Sequence, residues 1–213
     1  NYVVIRSRFD GRWGNVVQEK HHRWALDRGQ VMMYGLASTL RPNRTWWEGI
    51  SLPRRCLNFF ALDAMTAYTV LICEDLARPD PVADAIRAVG PNLVICLLMD
   101  GPQLSSRWSA RYATVLADDP GSSIITLSSV GMVALSRTRE RIHEKSRTIA
   151  MWREPGAAPV ELTLDPDCDA LLVSLSGAPS REETIDGRHD GGMAIQPRLA
   201  GVFQLRSSVA RPQ

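Results

Sequence analysis

The stretch Thr69-Val-Leu-Ile-Cys-Glu-Asp-Leu-Ala-Arg-Pro-Asp-Pro81 constrains this chain more than any other. A short β-branched and aliphatic run that ends on a thiol and two acids, and is then broken by prolines, has the pattern of a strand buried on both faces. Behind it, Val82, Ile86 and Val89 fall at helical spacing, so the reading is strand, sharp turn, helix, with Cys73 at the turn. In an open α/β sheet the carboxyl ends of the strands are where ligands bind, which makes this a suitable place for a nucleophile. The competing reading is inert packing, because free cysteines are among the most buried residues.

The Leu-Ile-Cys-Glu-Asp-Leu76 segment with its following prolines resembles the nucleophile motif of the nitrilase (carbon-nitrogen hydrolase) superfamily, and Gln18-Glu-Lys-His-His22, with its lysine 53 residues before Cys73, resembles that family's lysine motif. A helix after the cysteine, an apolar strand at Asn92–Leu98, a helix containing Trp108, a strand at Ser122–Ser128 and then Gly131 extend the resemblance over nearly the whole chain. It implies an α/β fold, the α-β-β-α sandwich with mixed sheets, here its later portion. It also implies hydrolysis of a small non-peptide amide, nitrile or carbamoyl substrate through a Cys73 thioester. Lys20 and the backbone N–H of Glu74 would hold the oxyanion, and Lys20 and the following helix start would favour the thiolate. No cofactor is implied, and two such units normally associate through their sheet layers, so a homo-oligomer is expected.

The family's general base is a glutamate that precedes the lysine motif, whereas only 19 residues precede Lys20. Glu19 is adjacent to Lys20 and, on a strand, points to the opposite face. The base is therefore expected on an upstream part of a longer polypeptide, and this chain alone is expected to be inactive. Asp27 and Glu48 are candidates for a supporting acid, with a solvated loop acid as the alternative for each. A non-catalytic or regulatory nitrilase-like module is the rival reading. Such domains occur fused to NAD synthetases, acyltransferases and some bacterial reverse transcriptases of phage defence. Glu74 and Asp75 are consecutive acids whose side chains diverge, so no metal site is expected.

With 213 residues, 45% hydrophobic and 23% charged, the chain suits one globular domain over 1–213. Lys+Arg minus Asp+Glu is 25 − 23 = +2, too small an excess to point to a nucleic-acid surface. Arg137, Arg139, Arg141, Lys145 and Arg147 form a basic run best read as a hinge or solvated loop. Lys20 and Lys145 are the two lysines among these 25 basic residues, so Lys20 is not one of a crowd. Cys56, Cys73, Cys96 and Cys168 are widely spaced, with neither a zinc pair nor a disulfide framework, which suits reduced thiols in the cytoplasm; Cys73 is expected to be the one reactive thiol. No apolar stretch approaches the ~20 residues of a membrane span, so no membrane partner is expected.

Along the chain, a hairpin is expected at Tyr2–Arg8 and Gly14–Gln18 around Asp10-Gly11. Arg23–Pro53 reads as a long loop with short ordered pieces that roofs the site. A second hairpin joins Arg55–Phe60 to the nucleophile strand, with Cys56 and Phe60 packed. The segment 128–131 approaches the pocket, and antiparallel strands follow from Val133 at 147–152, 160–164 and 170–175. A mobile loop is expected near 177–192, and a last strand with a tail in 198–213.

Overall fold

In the computed structural model, which describes residues 1–9, 11–136, 146–177, 179–181 and 193–207, the chain opens with the antiparallel pair β1 (Tyr2–Phe9) and β2 (Arg12–Glu19). Gly11 takes φ 79° in the connection, a conformation without penalty for glycine; Asp10 lies outside the described residues. The region read as a long loop contains a small pair, β3 (Ala25–Leu26) with β4 (Trp46–Trp47), and between them α1 (Arg28–Met33). A second hairpin, β5 (Phe59–Ala61) with β6 (Ala67–Ile72), enters the central sheet. After a 3-10 turn at Cys73–Ala77 come α2 (Asp84–Val89), β7 (Leu93–Leu97), α3 (Trp108–Asp118), β8 (Ser123–Leu127) and α4 (Val130–Leu135). The remainder is β9 (Thr148–Arg153), β10 (Val160–Thr163), β11 (Ala170–Ser176), β12 (Pro179–Arg181), β13 (Met193–Ile195) and β14 (Arg198–Leu205).

The main sheet has six strands in the order β10-β9-β8-β7-β6-β5, with β6, β7 and β8 parallel at its centre and antiparallel pairs outside them. The parallel strands are the continuously apolar ones, since both of their faces are covered. Strand alternation separates the two cores. Leu71, Val94, Cys96, Ile124 and Met151 face Val82, Ile86, Ala113 and Leu116 of the helical side. Leu93, Ile125, Ala150, Trp152 and Leu162 face the opposite way, against Leu171, Val173, Leu199 and Val202 of the β11–β14 ribbon. Polar links tie that ribbon to the sheet. Ser123 Oγ donates to the Pro197 carbonyl at 2.6 Å, and Glu154 accepts from both Trp152 Nε1 and the Leu199 N–H at 2.8 and 2.7 Å. The architecture is mixed α/β, a sheet with a helical layer on one face and a β-ribbon on the other. Among the described residues no helix is long and apolar enough to cross a membrane.

Several local expectations are corrected. The helix expected from Pro81 is present, a π turn over 81–83 running into α2 at Asp84, while Asp80, just before it, is extended (φ −106°, ψ 135°) as a residue preceding proline prefers. Gly90 closes it at φ 65°, donating its N–H to the Ile86 carbonyl. Residues 130–135 are helical, capped by Ser129 Oγ on the Met132 N–H, where the antiparallel region was expected to start at Val133. Cys56 is exposed and does not pack; Phe60 stacks on Tyr68 instead, with ring centroids 5.1 Å apart. In the basic run, 137–145 lie outside the described residues. Arg147 is not simply solvated: its guanidinium donates to the Leu164 carbonyl at 2.9 Å and to that of Asp165 at 3.2 Å. Of the loop expected at 177–192, residues 179–181 pair with β13, and 178 and 182–192 lie outside the described residues.

Candidate active site

Strand β6 delivers Cys73 to the carboxyl edge of the parallel strands, beside the end of β7. There the backbone turns sharply: Cys73 takes φ 50°, the one non-glycine residue with positive φ among the described residues. That region is sterically costly for a residue with a Cβ, by about 1–3 kcal/mol, and is held only where the surroundings over-determine it, typically at functional sites. Cys73 also begins the 3-10 turn, so the N–H of Glu74 lies in a first turn, where backbone donors lack intrahelical acceptors. The Glu74 carboxylate is engaged elsewhere, on Arg78 at 2.6 Å.

A cavity of about 330 Å³ opens over Cys73. Lys20, Glu48 and Tyr34 line it with the cysteine, and Leu26, Leu36, Ile72, Met132 and Leu135 form apolar walls. Lys20 is 1% exposed, and its Nζ is ion-paired with Glu48 Oε2. Glu48 also accepts from Asn1 Nδ2 at 2.6 Å and from the Trp24 N–H at 2.9 Å. A buried ammonium needs such a partner, because desolvation without one would drive off its proton. Lys20 is reached from a separate two-stranded sheet, just past the end of β2, where its N–H donates to the Asn1 carbonyl at 3.0 Å. Gln18 fastens that sheet to β6, donating to the Val70 carbonyl at 2.6 Å and accepting from the Asn58 N–H at 2.9 Å.

The thiol does not behave as expected from sequence. Burial pushes the Cys73 thiol above the ordinary thiol range; the Lys20 charge and the Met99 N–H pull it down, and Asp100 and Glu48 push it up again. The direction is upward, so the resting sulfur is protonated at neutral pH, and a nucleophilic role would need a base to take its proton. Glu48 is a carboxylate in the same cavity. Asp27, the other acid considered, caps α1: its side chain accepts the Gln30 N–H at 2.9 Å and it does not line the cavity. Glu19 faces away and approaches Arg54 at 3.8 Å.

Tyr34 and Asp100 were not singled out from the sequence. Tyr34 lines the Cys73 cavity and a second one of about 400 Å³ that also reaches Cys73, and burial pushes its phenol up to about 12, so it is a hydrogen-bond donor throughout the neutral range. Asp100 lines the second cavity and is engaged by Arg107 Nη2 at 2.8 Å and Trp108 Nε1 at 2.7 Å. Its position just past β7 follows the same carboxyl-edge rule that singled out Cys73. For Tyr34, the residue that ends α1, no sequence signal existed. Cys96 is fully buried with its thiol pushed far up, and Cys168 is buried as well. Cys56 is exposed and open to reagents, so Cys73 is not the sole accessible thiol.

No protein-family model matches the chain, and no curated protein matches it at a significant level.

Proposed function

We propose that the chain carries a carbon-nitrogen hydrolase site of the nitrilase type, acting on a small amide, nitrile or carbamoyl substrate. The observation that carries this reading is the convergence of Cys73, in a strained strand-end turn, with the buried Lys20–Glu48 pair in one cavity. In an amide reaction Glu48 takes the Cys73 proton as sulfur attacks the carbonyl carbon, and the oxyanion forms within reach of Lys20 Nζ and the Glu74 N–H. The C–N bond then breaks, the amine leaving with the proton from Glu48 and the acyl group staying as a thioester. Water attacks the thioester and gives its proton to Glu48. Collapse releases the carboxylic acid, and Glu48 returns the proton to sulfur. Each oxyanion donor of this kind is typically worth about 2.7–4 kcal/mol in the transition state.

In this reading Glu48 acts as the base within the chain, where the resemblance placed the base upstream. The α-β-β-α layering would put a second sheet, from this chain's ribbon or from a second copy, on the face opposite α2 and α3. A non-catalytic module of a larger protein is favoured by a different observation: Glu48 already accepts three donors and leaves the thiol protonated. The deciding experiment incubates the chain with short amides, carbamoylated amino acids and nitriles, follows ammonia release, and looks by mass spectrometry for an acyl adduct on Cys73. An adduct and turnover support the hydrolase; neither, in folded protein with intact thiols, supports the module.

A further inference from the structure

Lys20 and Cys73 belong to different sheets, and their relation to each other has to be set by something between them. One carboxylate reaches the immediate neighbours of both. Asp75, 1% exposed, accepts the His21 N–H at 3.0 and 3.2 Å on its two oxygens, the His22 N–H at 2.8 Å and the Ile72 N–H at 3.4 Å. His21 and His22 follow Lys20 directly, and Ile72 directly precedes Cys73. Asp75 lines neither cavity at Cys73, so it cannot touch substrate there. A buried carboxylate is held only by donors that compensate its lost hydration, and here those donors are the backbone on either side of the site.

We infer that Asp75 is a positioning residue that sets the Lys20 ammonium against the Cys73 sulfur. This rests on the proposed Lys20–Cys73 site. Asn at position 75 keeps the shape but turns one acceptor into an NH2 donor facing backbone N–H groups, so the loop carrying Lys20 should withdraw from the turn. The geometry predicts an effect on the thiol through Lys20 and not through Asp75's own charge. Deleting a negative charge beside a thiol lowers its pKa, whereas losing Lys20's proximity raises it.

The experiment measures the pH dependence of Cys73 alkylation by iodoacetamide, with Cys56 changed to Ser, in the parent, D75N, K20M and the double variant, alongside thermal melting. The expected result is that K20M and D75N each shift the profile to higher pH, slowing alkylation at neutral pH by about 10-fold, and that the double variant goes no further. If K20M shifts the profile and D75N lowers only the melting temperature or shifts the profile downward, the positioning inference is overturned and the site stands. If K20M does not shift it, the Lys20–Cys73 reading itself fails. Should D75N not fold, amide hydrogen exchange on the parent decides: His21 and His22 must exchange as slowly as the core of β6, and fast exchange overturns the inference.

Discussion

Cys73 and Cys96 come from nearly the same local sequence, Leu71-Ile-Cys and Val94-Ile-Cys, on adjacent parallel strands, yet they meet different fates. Cys96 pairs in register with Leu71 inside β7, fully buried in the core beneath α2 and α3. Cys73 lies one residue past the end of β6, at φ 50°, between two cavities and beside a buried lysine. Access to the thiol is thus decided by where the strand stops. Mid-strand, a cysteine has six to twelve packed neighbours and no approach for a reactant; at the carboxyl edge the same side chain faces open space and the loops of other strands.

The comparison breaks most visibly if the two cysteines are exchanged for alanine. Cys73→Ala should lower turnover by about 10³-fold or more with little change in urea midpoint, since a nucleophile has no substitute. Cys96→Ala should leave turnover within about 2-fold and lower stability by about 1 kcal/mol through a small cavity, read by urea unfolding. Turnover surviving in the first variant would remove the distinction. Glu48→Gln should come next, slowing turnover by about 10²–10⁴-fold, as loss of general acid–base help does. Full activity in that variant would mean that the proton is handled by another group, such as one outside this chain.

Alkylation sharpens the contrast without any substrate. Cys56 should react first with a bulky maleimide; Cys73 should react with small iodoacetamide, faster as pH rises past the ordinary thiol range, while Cys96 should wait for unfolding. Peptide mapping orders the three. The smallest effect is on acid stability. Burial and the neighbouring His21, Arg78, Arg55 and Lys20 charges depress His22 to about 4 from 6.5, so its neutral form is the one the fold holds. A depressed histidine contributes stability that is present above the unfolded value and lost as pH falls from about 6.5 towards 4. His22→Gln should flatten that part of the denaturation-midpoint profile, and an unchanged profile would show that His22 titrates freely.

Much of the frame was legible because it depends on short-range pattern. Continuous apolar runs at 67–72, 93–97 and 123–127 mark strands covered on both faces, and the Ile72-Cys-Glu break marks the strand end. The hairpin before Lys20 was legible from its turn pair and flanking strands. Helix α4 was missed because Val-Gly-Met-Val-Ala-Leu135 has no helical polarity of its own and is held by its Ser129 cap and by tertiary contact. Cys56 was misjudged since nothing in a hairpin pattern says whether a face is covered.

By itself, then, the sequence determined the strand-turn that presents Cys73, the lysine strand and the apolar strands of the sheet, all features set within a few residues by alternation, breakers and side-chain volume. Tertiary structure alone decided that Glu48, 28 residues from Lys20, would pair with it, that Asp27 would cap a helix instead, and that Asp75 would bind the amides of His21 and His22, 54 and 53 residues away. It decided the state of the thiol too, because a pKa sums burial and charges brought from several elements, and no window of sequence contains that sum.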